Sequence, residues 1–375
     1  MNAPLIFPRK AADAPIRFSP SVERLDPDEA ATIEGLIATM RYVNERTFAD
    51  GRHAIRSVHA KTQGILEGYL EVDAGLPIEL AQGLFAKPGR YPVVMRFSTV
   101  PGDILDDSVS TPRGLAVKII GVEGERLSGS EGDVTQDFVL VNGPAFGAPT
   151  PKKFLPVITL LSKTTNRVQR LKKLLSAVMR QVQRAIVSVT GQPNTTVATL
   201  GGQPETHILG ETFYNQAPVR FGDFIAKISV SPISSELAAL KGAALNVNGI
   251  PNGIREAVVA FFKQSGGVWE VRAQLCTDLN LMPIENAATV WPEQLSPYRR
   301  IGRIEVTRQN SWSEARSSVV DDGMQFSPWH GLAAHRPLGG IMRARKEVYA
   351  AAKRFRAARN GRVIEEPRQK PDLGD

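Results

Sequence analysis

The sequence predicts an α+β protein built on an antiparallel β-barrel with helices packed around it. Of the 375 residues, 42% are hydrophobic, and 32 glycines and 26 prolines are spread along the whole chain. Short strand-like stretches are separated by Gly/Pro turns, which is typical of antiparallel barrels and sandwiches. Stretches with helical spacing occur between the strand-like segments and near the end, so we expect helices around the barrel.

Alternating or continuous apolar runs mark the expected strands. These strands cover residues 53–72, 91–98, 113–122, 137–141, 205–213, 221–230, 269–277 and 302–307. Residues 28–52 have acidic residues early, basic residues late and apolar residues at helical spacing, which predicts a helix. Further helices are expected over 251–266 and from about residue 337, where a proline suits the first turn.

The two ends of the chain differ from the middle. Residues 1–25 contain four prolines and no periodicity, which predicts an extended N-terminal arm. Residues 361–375 have few apolar side chains, so we expect a loose C-terminal tail. Between them, residues 26–360 are expected to form one catalytic domain.

Residues 151–190 form a basic segment of a different character. The sequence has no acidic residue between Asp137 and Glu205, and apolar residues recur every three or four positions in this segment. The recurring residues are Leu171, Leu174, Leu175, Val178, Val182, Ile186 and Val189, with Lys172, Lys173, Arg180 and Arg184 on the remaining faces. This pattern predicts a basic amphipathic helix that either packs on its own barrel or contacts a membrane surface.

Composition excludes several classes of protein. No run of 18 apolar residues exists, so no membrane span is predicted, and residues 1–10 lack an apolar signal region, so we expect a cytoplasmic protein. Cys276 is the only cysteine, which excludes an internal disulfide and a cysteine-clustered metal site. The net charge of +8 allows anionic partners, but no motif for nucleotide or serine-hydrolase chemistry is present and no nucleic-acid partner is predicted.

A tyrosine lies between two arginines on the predicted C-terminal helix. Arg345 is four residues before Tyr349 and Arg356 is seven after it, so the three side chains share one helical face. Arginine cations favour the phenolate form of tyrosine, and tyrosinate is one of the proximal ligands of heme iron. The alternative is an aromatic residue that anchors an amphipathic helix, with solvated arginines around it.

His59 has the most suggestive setting among the five histidines. It lies in a strand-like run, three residues after Arg56, with small residues around it. A regular strand would place these two side chains on opposite faces, so both reach one pocket only if the strand twists or bulges. The alternative is a structural histidine in the core of the barrel.

Several motifs in one order resemble the heme catalases. HAKTQGILEGYLEV, GLFAKPGRYPVVMRFSTVPGD and TPRGLAVKI are similar to the first barrel segments of that family. VWPEQLSPYRRIGRIEVTRQNSWSEA and then FSPWH and RARKEVY are similar to the approach to its proximal helix. Together the motifs cover most of residues 50–360, and they imply a heme-catalase-like antiparallel β-barrel.

The resemblance implies roles for the residues nearest the reaction. His59 matches the distal histidine that moves the peroxide proton, Asn142 the distal asparagine, and Ser98 the serine that holds the histidine. Tyr349 matches the tyrosine that ligates the iron, and Arg345 the arginine on its phenolate oxygen.

The resemblance also implies how the remaining residues hold the cofactor, heme b. Val58 matches the valine that narrows the access channel, and Phe154 the phenylalanine stacked on the heme face. Arg56, Arg96 and Arg356 match arginines that engage the heme propionates or flank the proximal side. Glu293 stands where the family has a histidine associated with NADPH, so we expect no bound NADPH.

The predicted function is heme-dependent decomposition of hydrogen peroxide or an organic hydroperoxide by a catalase or peroxidase mechanism. Only about 26 residues follow Tyr349, so the chain resembles the minimal catalase-like branch, which includes peroxidases and relatives that rearrange fatty-acid hydroperoxides. The alternatives are a fatty-acid hydroperoxide isomerase or dehydratase at a membrane surface, and a non-enzymatic heme-binding protein. A homo-oligomer, dimer or tetramer, is also expected.

Overall fold

A computed structural model describes residues 14–163, 165, 176, 178–183, 185, 186, 188 and 202–374. The described part contains nine strands in one antiparallel sheet. They are β1 (Lys61–Val72), β2 (Gly89–Thr99), β3 (Arg113–Ile120), β4 (Thr135–Val141), β5 (Phe213–Tyr214), β6 (Val219–Phe221), β7 (Phe224–Pro232), β8 (Gly267–Leu275) and β9 (Arg299–Val306). The helices of the described residues are α1 (Glu29–Gly51), α2 (Pro151–Ser162), α3 (Ser235–Ala238), α4 (Gly253–Gln264), α5 (Glu314–Ser317) and α6 (Gly340–Asn360).

Eight of the strands close into a barrel. The hydrogen-bonded order runs β4-β3-β2-β1-β9-β8-β7, and β5 pairs with both β4 and β7, which joins the two ends. The ninth strand, β6, forms a hairpin with β7. Closure leaves no free edge among these eight strands, and the predicted antiparallel barrel with surrounding helices is confirmed.

Large apolar side chains fill the barrel. Phe97 of β2, Phe213 of β5 and Trp269 of β8 are fully buried, and the rings of Phe97 and Trp269 lie 6.2 Å apart. Phe262 of α4 stacks on Trp269 with ring centroids 6.3 Å apart, so this helix adds to the same core. Full burial of a side chain of this kind contributes about 1.5–3 kcal/mol.

Two predicted strands are shorter than expected. The first begins at Lys61, because residues 53–60 form bends and His59 has a left-handed backbone with φ of 52°. The stretch 205–213 is mostly not a strand. It contains a 3-10 helix at Ile208–Gly210, whose N-terminus is capped by the His207 side chain, and only Phe213 belongs to β5.

Three helices pack beside the barrel, on the side where the first strand begins. Phe48 of α1 meets Phe355 of α6 edge to face at 6.3 Å, and α2 packs against α1, where Leu155 approaches Gly35. Helix α6 begins at Gly340, three residues later than the predicted proline start, and it contains both predicted arginines and the tyrosine. The predicted C-terminal helix is therefore confirmed.

Both terminal segments contact the domain. Within the arm, Ile16 N donates to Cys276 O at 2.7 Å and Phe18 N donates to Asp223 O at 2.7 Å. The tail was expected to be loose, and this is wrong for much of it: Ile364 and Leu373 are buried, and Glu366 forms a buried ion pair with Lys118. Two well-placed apolar residues and one buried carboxylate suffice to hold a segment whose composition is otherwise polar.

The basic segment 151–190 is helical at its start, over α2. Among the later described residues, Arg180 pairs with Glu205 at 3.0 Å, while Val178 and Val182 are exposed. Leu171, Lys172, Lys173, Leu174, Leu175, Arg184 and Val189 lie outside the described residues. No described helix is both long and apolar enough to cross a membrane, and contact with a membrane surface stays a prediction.

Candidate active site

Two cavities lie side by side between the start of β1 and helix α6. The larger has a volume of about 680 Å³ and the smaller about 70 Å³. Val58, His59 and Tyr349 line both cavities. The predicted distal and proximal residues therefore border the same two cavities, although they are 290 positions apart in the chain.

His59 reaches this region through its left-handed backbone conformation. That conformation, rather than a twist or bulge in a strand, allows Arg56 and His59 to line the same cavity. Ser98 Oγ lies 3.1 Å from His59 Nδ1, which fixes the ring. A Cβ atom on Gly114 would lie 2.4 Å from the same nitrogen, so the close approach of β3 to the ring requires glycine.

The His59 imidazole is neutral over the physiological pH range. Burial lowers its pKa to about 3, and the cations of Arg96, Arg345 and Arg56 add to that shift. A neutral imidazole has one nitrogen that accepts a proton and one that donates. The side chain therefore has the protonation state that a proton carrier needs.

Tyr349 faces the two cavities from α6. Ala352, Lys353 and Arg356, on the following turns of the same helical face, line the smaller cavity with it. Among the described residues, no hydrogen bond joins Arg345 to the Tyr349 hydroxyl. The Arg345 guanidinium lies 5.3 Å from the Phe146 ring centroid, and its Nη1 is 3.8 Å from Met342 Sδ, so the predicted contact between this arginine and the phenol is not made.

The three remaining arginines converge on one residue that the sequence did not single out, Asp321. Arg96 Nε donates to Asp321 Oδ1 at 2.6 Å, Arg56 Nε lies 3.7 Å from the same oxygen, and Arg356 donates to the Asp321 carbonyl. Burial opposes ionisation of Asp321, but the cations of Arg96 and Arg56 outweigh it and lower its pKa to about 2. Asp321 thus holds the three arginines together. Two of them, Arg56 and Arg356, also line the smaller cavity.

Asn142 lines the larger cavity, but its amide is already engaged. Its Nδ2 donates to Glu211 Oε2 at 2.5 Å and to Gln203 Oε1 at 3.2 Å, and its Oδ1 accepts from Arg113 N at 2.9 Å. Sequence reasoning missed Glu211 and Gln203. Nothing in the sequence around Glu211 or Gln203 indicates that Asn142 is their partner.

The apolar wall of the larger cavity comes from several helices. Phe154 of α2 meets Phe146 edge to face at 4.9 Å, and both rings line the cavity. Leu36 and Met40 of α1 and Ile341 of α6 complete that side. Phe154 is therefore placed as an aromatic wall, while Val58 lies where the two cavities meet.

Comparison with known proteins reveals similarity only at the level of structure. No protein-family model matches the sequence, and no curated protein matches it. Among solved structures, a fungal catalase matches with a TM-score of 0.58 at 19% identity, covering 84% of this chain and 62% of that one. Catalase A from Saccharomyces cerevisiae matches with a TM-score of 0.57 at 20% identity, covering 83% and 63%.

A bacterial catalase matches with a TM-score of 0.55 at 16% identity and covers 96% of this chain and 68% of that one. The chain has a catalase-like fold. It spans less than two thirds of the length of the fungal and yeast catalases that it matches. At these identities the similarity shows the fold alone.

The residues of this catalase-like fold suit a heme. The larger cavity lies within the range of about 300–1,000 Å³ typical of cofactor sites. Arg56 Nε is buried without a hydrogen-bond partner at the wall of the smaller cavity, where it suits a heme carboxylate. Among the described residues, no group of three or more His, Cys, Asp or Glu residues can hold a metal ion.

Proposed function

We propose that the protein decomposes hydrogen peroxide or an organic hydroperoxide with heme b, by a catalase or peroxidase mechanism. The observation that carries this proposal is the position of His59 and Tyr349, which both line the larger and the smaller cavity. A proton carrier opposite a phenolate ligand suits peroxide chemistry better than reversible oxygen binding. Heme, when bound, supplies the redox chemistry that breaks the O–O bond.

The residues around the cavity have separate tasks. His59 takes a proton from one peroxide oxygen and returns it to the other, because its imidazole is neutral and held by Ser98. Tyr349 would hold the iron of a bound heme through its phenolate oxygen. Arg56 and Arg356 offer positive charge to the heme propionates, and the Asp321 carboxylate fixes the orientation of Arg56 and Arg96.

The site is tested by replacing the tyrosine. Protein expressed with heme should show a Soret band of ferric tyrosinate type, and Tyr349→Phe should lose or strongly change it. Tyr214→Phe is the matched control, because Tyr214 lines the same large cavity from the barrel wall. An unchanged spectrum in Tyr349→Phe would exclude Tyr349 as the ligand.

A second candidate function is supported by the apolar lining of the larger cavity. Leu36, Met40, Phe146, Ile158 and Ile341 line it, and such side chains suit the acyl chain of a fatty-acid hydroperoxide. In this reading the protein is an isomerase or dehydratase of such hydroperoxides.

The approach to the larger cavity also favours an amphiphilic substrate. Leu161, at the end of α2, lines the cavity and is 40% exposed, and the neighbouring Val157 and Leu160 are also exposed. With the basic residues of 151–190, these side chains suit contact with an anionic membrane surface.

One heme-loaded preparation separates the candidates. Oxygen release from hydrogen peroxide supports the catalase mechanism, and oxidation of an added electron donor supports the peroxidase mechanism. A rearranged product from a lipid hydroperoxide, without oxygen release, supports the second candidate. Heme binding without any turnover identifies a heme-binding protein, the third class. We also propose that the protein is cytoplasmic, forms a homo-oligomer and has no nucleic-acid partner. Gel filtration with light scattering measures the mass of the particle and so tests the homo-oligomer.

A further inference from the structure

The side-chain amide of Asn142 has no free hydrogen to offer a ligand. An asparagine amide carries two N–H donors, and here one donates to Glu211 and the other to Gln203. All three side chains line the larger cavity with His59. A peroxide in this cavity can accept a hydrogen bond from Asn142 only if one of the two existing bonds opens.

The two bonds differ in strength. The bond to Glu211 is short, at 2.5 Å, and is assisted by the charge of the carboxylate, whereas the bond to neutral Gln203 measures 3.2 Å. Glu211 is itself held in place, because Oε1 pairs with the Arg113 guanidinium and accepts from Thr206 Oγ1 at 2.9 Å. The bond to Gln203 is therefore the weaker of the two, and the easier one to open.

The backbone beside Glu211 is equally constrained. A Cβ atom on Gly210 would lie 2.2 Å from Leu240 O, so the chain packs too closely there for any other residue. Arg113 donates in addition to Thr206 O at 2.6 Å and to Pro204 O at 3.1 Å. Glu211 is thus a fixed carboxylate that holds one N–H of the Asn142 amide.

We propose that Glu211 is a positioning residue for the distal side, and that Gln203 competes with the ligand for the second N–H of Asn142. This inference rests on the proposed function, since it assigns Asn142 to a ligand bound between His59 and Tyr349. Glu211 orients the Asn142 amide. In the absence of a ligand, Gln203 accepts the hydrogen bond that the second N–H of Asn142 would otherwise donate to the ligand. Glu211 and Gln203 therefore act in opposite directions on ligand affinity.

The opposite signs give the test. In heme-loaded protein, cyanide affinity is measured from the Soret shift as a probe of the distal side. Gln203→Ala should tighten cyanide binding by about three- to tenfold, because the freed N–H turns to the ligand. Glu211→Gln should weaken cyanide binding by a similar factor, because the Asn142 amide loses its charged acceptor.

Two further variants serve as checks. Glu211→Ala should weaken cyanide binding as Glu211→Gln does. Gln309→Ala replaces a glutamine outside both cavities and should leave the cyanide affinity unchanged. The proposal would be overturned if Gln203→Ala and Glu211→Gln changed the cyanide affinity in the same direction, or if either changed it by less than twofold.

A second measurement needs no heme. In heme-free protein, urea unfolding of Asn142→Ala, Glu211→Gln and the double variant forms a cycle that measures the coupling of these two side chains. Non-additive losses support a fixed Asn142–Glu211 contact, and additive losses refute it. If the wild-type protein bound no heme, the proposed function would fail, and the cycle would still decide whether Glu211 anchors Asn142.

Discussion

At the scale of single residues, the site depends on the way His59 is accommodated. A left-handed backbone is unfavourable for a residue with a Cβ atom, at about 1–2 kcal/mol. Arg96 offsets part of this, since its Nη2 donates to His59 O at 2.9 Å and to Ala60 O at 3.2 Å. Gly114 leaves the space that the ring occupies.

Gly114→Ala should therefore displace the His59 ring. The added methyl group would lie 2.4 Å from Nδ1, and overpacking of this kind lowers the free energy of unfolding by about 1–3 kcal/mol. Turnover per heme should fall at least tenfold, on the scale of about 10²-fold for a lost proton carrier. Gly143→Ala is the control, because its Cβ meets nothing closer than 3.8 Å. Equal turnover in the two variants would show that the position of the ring is unimportant.

The lowered pKa of His59 predicts the pH profile of turnover. The proton-accepting form is the neutral imidazole, and the pKa of His59 is about 3. Turnover should therefore fall only at acid pH and should not change as the pH rises from about 5 to neutral. The charge of Arg345 contributes to that lowering, so Arg345→Gln should move the acid limb to higher pH. Arg354→Gln, on the exposed face of the same helix, should not move it. A wild-type acid limb near pH 6.5 would contradict the neutral assignment.

At the scale of elements, the beginning of α6 is held by three acidic residues from separate segments. Arg343 pairs with Glu23 of the arm at 2.8 Å, with Glu29 of α1 at 2.7 Å and with Glu285 at 3.0 Å. Glu23 and Glu285 also accept from the Gly339 and Gly340 N–H groups, at 2.9 and 2.7 Å, at the positive end of the helix. The helix that carries Tyr349 is therefore fixed at its N-terminus by the arm.

Removal of one of these carboxylates should loosen the tyrosine helix. Glu23→Gln should lower the free energy of unfolding by about 1–3 kcal/mol, since it weakens partly buried charge-assisted hydrogen bonds, and it should speed the loss of heme to apomyoglobin. The control is Asp223→Asn, which breaks the exposed ion pair of the arm with Arg17; its effect should stay below about 1 kcal/mol. Similar heme loss in both variants would show that the arm does not support α6 through Glu23.

The elements show how far sequence reasoning reaches. Periodicity located most strands and the helices α1, α4 and α6, because those segments bury one face or lie wholly in the core. It missed the bends at 53–60, since the left-handed backbone of His59 depends on contacts with β2 and β3. The resemblance to catalases predicted that His59 and Tyr349 belong to one site, and both line the same two cavities. Asp321 was missed because its partner Arg96 is 225 positions away, and no local pattern records such a contact.

At the scale of the whole molecule, the C-terminal tail is tied to the barrel through buried charges. Lys118 Nζ donates to Asp137 Oδ1 at 2.6 Å and pairs with Glu366, with the side chains of all three almost completely buried. Burial raises the pKa of Asp137 to about 7, with Glu366 adding to the shift and Lys118 opposing it. The Lys118 ammonium therefore relies on Glu366 for its charge balance.

Neutralising Glu366 should destabilise the whole domain. Glu366→Gln leaves Lys118 with Asp137 alone, so the free energy of unfolding should fall by about 2–4 kcal/mol, near the range for breaking a buried pair. Glu365→Gln, one residue earlier and exposed, is the matched control and should change it by less than about 0.5 kcal/mol. Equal urea midpoints for the two variants would show that the tail is dispensable for stability.

The closure of the barrel by β5 has a consequence for its opening motions. β1 and β2 are joined over eleven paired positions, whereas β5 pairs with β4 at one position and with β7 at two. In amide hydrogen exchange, the seam at Phe213–Tyr214 should open at a lower free energy than global unfolding requires. Glu211, Thr212 and Tyr214 line the larger cavity, so each opening of this seam exposes the interior to solvent.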